Sequence, residues 1–139
     1  MVPSPTLACE NASAPMVAKL LAAGADPDAA QANGVTPLMM AARTGDVEIV
    51  KTLLARDVSV TAAIPTTGQT ALMWAVAQGH RAVVEALLEH GADVAARSRV
   101  RPRLMHAANT NASQYDQGMM WNRGGVTPLL FAARHGDIE

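Results

Sequence analysis

Thr36-Pro37-Leu38-Met39-Met40-Ala41-Ala42-Arg43-Thr44-Gly45-Asp46-Val47-Glu48-Ile49-Val50 decides the fold, because the chain says it again. Altered copies start at Thr70 and at Thr127. A second phrase, Leu-Leu-x-x-Gly-Ala-Asp, stands at Leu20–Asp26 and Leu87–Asp93, with a weaker copy at Leu53–Ser59. The spacing is 34 residues from Thr36 to Thr70, 33 from Leu20 to Leu53 and 34 from Leu53 to Leu87. A period near 33 predicts stacked supersecondary units, and it directs the search for function to a repetitive surface instead of a single pocket.

Within the copy from Gln31 to Ala63, each residue type has a local task. Asn33-Gly34 is a turn signal. Thr36 can cap a helix with its hydroxyl, and Pro37 suits the first helical position, where a missing N–H costs nothing. Leu38, Ala41 and Ala42 then fall on one helical face. Thr44-Gly45-Asp46 ends that helix and offers a cap to the next, whose apolar stripe is Val47, Val50, Leu53 and Leu54. Asp57 stands where other copies have Gly24 and Gly91, a left-handed helix end that Gly accepts more readily than Asp. Each unit therefore reads turn, helix, turn, helix, turn. One such pair cannot bury its apolar face alone, and stacking does so at roughly 25 cal/mol for each Å² of apolar surface.

This pattern resembles the ankyrin repeat. Thr36-Pro37-Leu38 and Thr127-Pro128-Leu129 match the family's Thr-Pro-Leu-His opening, Thr70-Ala71-Leu72 matches it with one change, Gly79-His80 and Val83-Val84-Glu85 match its middle, and Leu87–Val94 match its close. The family's His is Met39, Met73 and Leu130 here, so its usual turn-stabilising hydrogen bonds are expected to be missing. The resemblance implies an all-α solenoid of helix-turn-helix units with short β-hairpin fingers. Residues 1–139 form one repeat domain, with units at about 3–30, 31–63 and 65–97, and a fourth, cut-off unit from 122. The first unit lacks the opening motif and carries Pro15 in the first turn of its second helix. The Ala-rich style of Gln69–Ala75 looks bacterial. Both ends fall inside units, which suggests a fragment.

The step from Thr70 to Thr127 is 57 residues, 24 more than a 33-residue period, and the surplus falls at Ser98–Trp121. It has no helical apolar period. The resemblance places it where a finger projects, so it is expected to lengthen one finger. Arg97, Arg99, Arg101, Arg103 and Arg123 gather 5 of the 11 basic residues at its base. Arginine suits bidentate contacts with carboxylate and stacks on aromatic rings, and Tyr115 and Trp121 supply interface-type aromatics. One reading is a finger selecting an acidic protein surface. The other is a solvated, variable loop, since loop closure cost grows slowly with length. Met119-Met120-Trp121 reads either as a hydrophobic anchor or as a tuck against the neighbouring unit.

Other candidates read as structural. His80, His90, His106 and His135 show no ligand spacing and read as surface or turn residues. Cys9 is matched to the slot of Ala42 and Val76, which makes it a small core residue; being alone, it forms no internal disulfide. Met39, Met40 and Met73 read as core filler. Glu48 and Glu85 read as polar positions on second helices. There is no phosphate-cradling Gly-rich loop and no nucleophile–base constellation. An enzyme is not expected, nor is any cofactor or metal. The formal net charge of −1 decides nothing about nucleic acid. An Arg cluster with aromatics could grip single strands, but the rest of the chain has no basic stripe, so no nucleic-acid partner is expected. No run reaches membrane-spanning length, and Met1–Ala8 lacks a signal-peptide pattern.

The expected function is non-catalytic recognition of another protein, possible partners being those with an acidic surface. In the family, fingertips and exposed first-helix positions make the contacts. Carried over, these are Asn33, Val35, Arg43 and Thr44 in the second unit, Thr67, Gln69 and Gln78 in the third, and Arg123, Arg134 and His135 in the fourth. Arg99, Arg101, Arg103, Tyr115 and Trp121 join them from the insertion. The alternative is a structural or regulatory spacer arm of a larger protein, enzymatic or not.

Overall fold

The computed structural model describes residues 5–104 and 120–135, with backbone alone considered at 101–104, 120–123 and 134–135. Six helices come in three pairs: α1 (Pro5–Glu10) with α2 (Ala14–Ala22), α3 (Pro37–Thr44) with α4 (Val47–Leu54), and α5 (Ala71–Ala77) with α6 (Arg81–Glu89). A two-stranded antiparallel ribbon follows, β1 (Arg101–Leu104) with β2 (Met120–Arg123), then α7 (Pro128–His135). First helices stack in the order α1, α3, α5, α7, and second helices in the order α2, α4, α6.

The repeated threonine explains why the first helices start where they do. Its hydroxyl accepts the backbone N–H of the residue three further on: Met39 to Thr36 at 3.3 Å, Met73 to Thr70 at 3.4 Å, and Leu130 to Thr127 at 3.4 Å. Asp46 caps α4 in the same way, its Oδ1 accepting from the N–H groups of Glu48 at 3.0 Å and Ile49 at 3.1 Å. Gly45, at φ +80°, ends α3 in the left-handed conformation that the sharp turn into α4 requires.

One continuous core runs through the stack, built from Leu38, Met39, Ala41, Ile49, Val50, Leu53, Leu72, Met73, Val83 and Leu87, all essentially inaccessible to solvent. The burial of a residue is set by the neighbour its slot faces. Met40 and Ile49, inside the stack, are 6% and 0% exposed, whereas Leu7 and Met16 in the equivalent slots of the first pair are 51% and 47% exposed. The backbone N–H groups of Asn11, Ala12 and Ser13 donate to the carbonyls of Leu7, Cys9 and Ala8 as those of Gln78, Gly79 and His80 donate to Trp74, Val76 and Ala75, and Ala12, Gly45 and Gly79 share a positive φ, so Cys9 holds the slot of Ala42 and Val76 that the sequence reads. Cys9 is fully buried, and burial, with the negative charge of Asp46 second, pushes its thiol up to about 12.

The connections between pairs are short fingers. In one, Ile64 donates to the Gln69 carbonyl at 2.9 Å, and Ala63 bridges Thr70 antiparallel. In the finger before it, Gln31 donates to the Val35 carbonyl at 2.9 Å. The third is the β1–β2 ribbon, in register Arg101 with Arg123, Pro102 with Asn122, Arg103 with Trp121 and Leu104 with Met120. Neighbouring units are also tied through polar groups. The Ser59 N–H is 3.0 and 3.2 Å from the two Asp28 carboxylate oxygens, and the Arg99 N–H donates to the Thr67 carbonyl at 2.7 Å.

Candidate protein-recognition surface

The residues expected to meet a partner divide by their place relative to the capping threonine. Asn33, one step out on its finger, is exposed, and its Oδ1 accepts the Val35 N–H at 3.0 Å. This local turn fixes the fingertip without using the side-chain amide N–H₂. Arg43 is exposed at the end of α3 and Gln78 at the end of α5. Thr44 is half-buried, its hydroxyl donating to the Ala41 carbonyl at 3.1 Å. Arg99 is exposed while its backbone is held by the Thr67 carbonyl.

Val35 does not belong to this surface. It is 5% exposed and sits in the core cluster. The reason lies in helix-entry geometry: the residue before the cap lies beside the fourth helical residue, where apolar pairs close the entry as a staple. Val35 and Met40 hold those two positions in α3, and both are buried. In α7 the same positions are Val126 and Phe131. In α5 they are Gln69 and Trp74, and the pair is joined by a hydrogen bond from the indole Nε1 to Gln69 Oε1 at 3.2 Å. Gln69 is thus a half-buried partner of Trp74 before it is a contact residue. Thr67, also half-buried, donates from its hydroxyl to the same Gln69 oxygen at 3.5 Å.

Trp74 itself was not among the residues the sequence pointed to. It is half-buried, while Met40 in the same slot is only 6% exposed. The available signal was the exchange of an apolar staple for a polar–aromatic one, visible when Val35-x4-Met40 is set beside Gln69-x4-Trp74.

The β1–β2 register brings Arg101, Arg103, Trp121 and Arg123 onto one face of the ribbon, because directly paired positions share a face and alternate positions repeat it. Arg134 and His135 are the last two residues of α7. Tyr115 lies outside the described residues, as does the middle of the insertion. Arginines dominate this end of the chain: between Asp93 and Asp137 the only acidic residue is Asp116, against Arg97, Arg99, Arg101, Arg103, Arg123 and Arg134. From Val58 to Gly79 the chain has no charged side chain at all.

His80 and His90 serve the backbone. His80 Nε2 donates to the Arg43 carbonyl at 3.0 Å, and His90 Nδ1 to the Ala86 carbonyl at 2.8 Å. Glu85 pairs loosely with Arg81 one turn earlier, at 3.8 Å on an exposed helix face. Among the described residues no three His, Cys, Asp or Glu side chains converge as a metal site, and no helix is long and apolar enough to cross a membrane.

Comparison with known proteins follows the same lines. A family model described as ankyrin repeats (3 copies) matches residues 6–98. The chain is 44% identical over 95 residues to human ankyrin repeat and KH domain-containing protein 1, a match covering 68% of the chain and 4% of that protein. It is 40% identical over 95 residues to the Drosophila melanogaster ankyrin repeat and KH domain-containing protein mask, covering 68% of the chain and 2% of that protein. It is 40% identical over 67 residues to mouse ankyrin repeat and SAM domain-containing protein 6, covering 48% of the chain and 8% of that protein. The chain therefore spans a small part of these relatives' length. They are animal proteins and lend no support to a bacterial source.

Proposed function

The chain belongs to the ankyrin-repeat family, and from that premise we propose that it recognises another protein through its fingers, the exposed ends of its first helices and the arginine-bearing ribbon. Repeats of this family are generally protein–protein interaction modules, and the family and the relatives are generally non-enzymatic scaffolds. The observation that carries the reading is the way exposed side chains are mounted. Asn33, Arg43, Gln78 and Arg99 stand on backbone fixed by caps, turns and inter-unit hydrogen bonds. A partner then orders few groups on binding, and more of the contact energy remains as affinity. The surplus of arginine at the ribbon favours a partner with an acidic surface.

The test is a paired capture with the full chain and a variant in which Ser98–Trp121 are replaced by a short linker, both shown to have the same helical circular dichroism. A partner held by the intact chain supports the reading. Its loss with the insertion makes the ribbon the specificity element; its retention places recognition on the repeats. Failure of both baits to retain any protein above an unrelated helical control refutes it. A second reading, a structural or regulatory arm of a larger protein, draws on the small share of the relatives' length that the chain spans. It predicts that neither bait retains a partner.

A further inference from the structure

We infer that Trp74 and Arg99, both tied to one finger, form an anchor for an acidic peptide segment in which an apolar or aromatic residue stands next to a carboxylate. The inference rests on the reading that the chain recognises a protein, and it names the chemistry of the segment recognised. Trp74 and Arg99 are linked through the finger between Ile64 and Thr70. The Trp74 indole is held by Gln69, Gln69 Oε1 also receives the Thr67 hydroxyl, and the Thr67 carbonyl receives the Arg99 N–H at 2.7 Å. Gly68 allows this close approach, since a Cβ there would meet the Arg99 backbone nitrogen at 2.8 Å and its Cγ at 3.2 Å.

Three features turn this arrangement toward a ligand. First, the staple slot in α3 is closed by Val35 and Met40, both buried, whereas α5 keeps a large aromatic half-exposed and fixes it with a polar partner. A structural staple needs only apolar bulk; a hydrogen bond to the indole nitrogen orients the ring and leaves its remaining surface for contact. Second, Trp and Arg are the residue types that carry most of the energy at protein interfaces, and both are already positioned here. Third, the charge is one-sided. No acidic side chain occurs between Asp57 and Glu85, and the segment that hydrogen-bonds to this finger brings Arg97 and Arg99, both exposed. A carboxylate on the partner meets arginine, and its apolar neighbour meets the indole. A phosphodiester strand is the weaker fit, because this anchor offers one aromatic platform and no run of them.

The probe is an array of nine-residue peptides, each with a central Leu or Phe flanked by Glu. Beside them stand the same peptides with Gln for Glu, the same with Ser for the apolar residue, and an oligo-dT strand. The full chain is used throughout. The Glu-flanked Leu or Phe peptides are expected to bind best and to shift the Trp74 indole N–H resonance, assigned through Trp74→Phe. Arg99→Ser and Trp74→Ala are each expected to weaken that binding by about tenfold. Arg99 is exposed, so Arg99→Ser keeps the test alive if Trp74→Ala fails to fold. Equal binding of the Gln and Ser controls, no binding, preference for oligo-dT, or an unmoved indole resonance would each overturn the anchor. Adding Arg99→Ser to the capture bait separates the two readings. A protein retained equally by this variant removes the anchor and leaves protein recognition standing; no protein retained by the unaltered chain removes the broader reading.

Discussion

His80 of the third helix pair reaches back to the second, donating from Nε2 to the Arg43 carbonyl at 3.0 Å, with its ring lying where a Cβ on Gly45 would have to go. The carbonyl is one of those left without a helical partner at the end of α3. One side chain therefore closes a helix end and joins two units, and the glycine is demanded twice, by its φ of +80° and by the ring.

Gly45→Ala is expected to cost about 1–3 kcal/mol, combining left-handed strain with displacement of the His80 ring. His80→Ala should be milder. In the double variant the ring is gone and only the backbone strain remains, so the two losses are expected to be less than additive. Urea unfolding of the four proteins measures this; strict additivity would show that the ring and the glycine do not interact.

Asp57 has φ +55° in the slot where Gly24 and Gly91 have +91° and +84°. A side chain in this conformation is strained, and at Gly24 and Gly91 no atom lies near enough to oppose or favour one. Asp57→Gly is expected to add about 0.5–1 kcal/mol, the relief of strain being partly offset by the greater freedom of glycine in the unfolded chain. A rise in melting temperature checks it, and a fall would show that the carboxylate supports the turn.

Burial raises the Cys9 thiol from 9.0 to about 12. The unfolded chain releases this proton near the lower value while the folded chain retains it, so the unfolded state binds fewer protons in between and stability declines as pH rises from about 9 to 12. Comparing unfolding free energies of the unaltered chain and Cys9→Ala isolates the effect of this thiol. The variant should show the shallower alkaline decline. The native thiol should also react with a disulfide reagent only as fast as the protein opens.

Asp46 accepts two backbone N–H groups at the start of α4. Asp46→Ala is expected to cost about 1 kcal/mol, and Asp46→Asn less, because its amide oxygen can still cap. Asp46→Asn also removes the charge that helps hold the Cys9 proton, so the thiol should titrate lower than in the unaltered chain. Thermal melts and a thiol pH titration on the same variant check the two effects separately.

The helix pairs were legible because their signals are local. Thr36, Thr70 and Thr127 cap the helices they precede, proline or alanine opens them, and Gly45 ends α3, all within a few residues of chain. The first pair is less legible because its sequence lacks the Thr-Pro-Leu opening that marks the others. The surface was less legible than the fold. Val35 was assigned to it on the strength of its place in a finger, yet it is packed in the core at the helix entry. Trp74, one turn inside the corresponding entry of α5, carries no such finger position to mark it.

What the sequence determined by itself was the repeat: its period, its caps, its turns and the apolar stripes that oblige one pair to stack on the next. Those are contacts between residues a few positions apart, and they are written in spacing. The tertiary structure decided which side of each unit was left for solvent. Met40 and Leu7 hold the same slot in two first helices, and one is 6% exposed while the other is 51% exposed, because α3 lies between α1 and α5 whereas α1 packs on α3 alone among the described first helices. It also decided the partners across units, Asp28 with Ser59, Arg43 with His80 and Thr67 with Arg99, at sequence separations that no local pattern spans. Exposure and long-range pairing depend on how units sit against one another, and that geometry exists only once the chain has stacked.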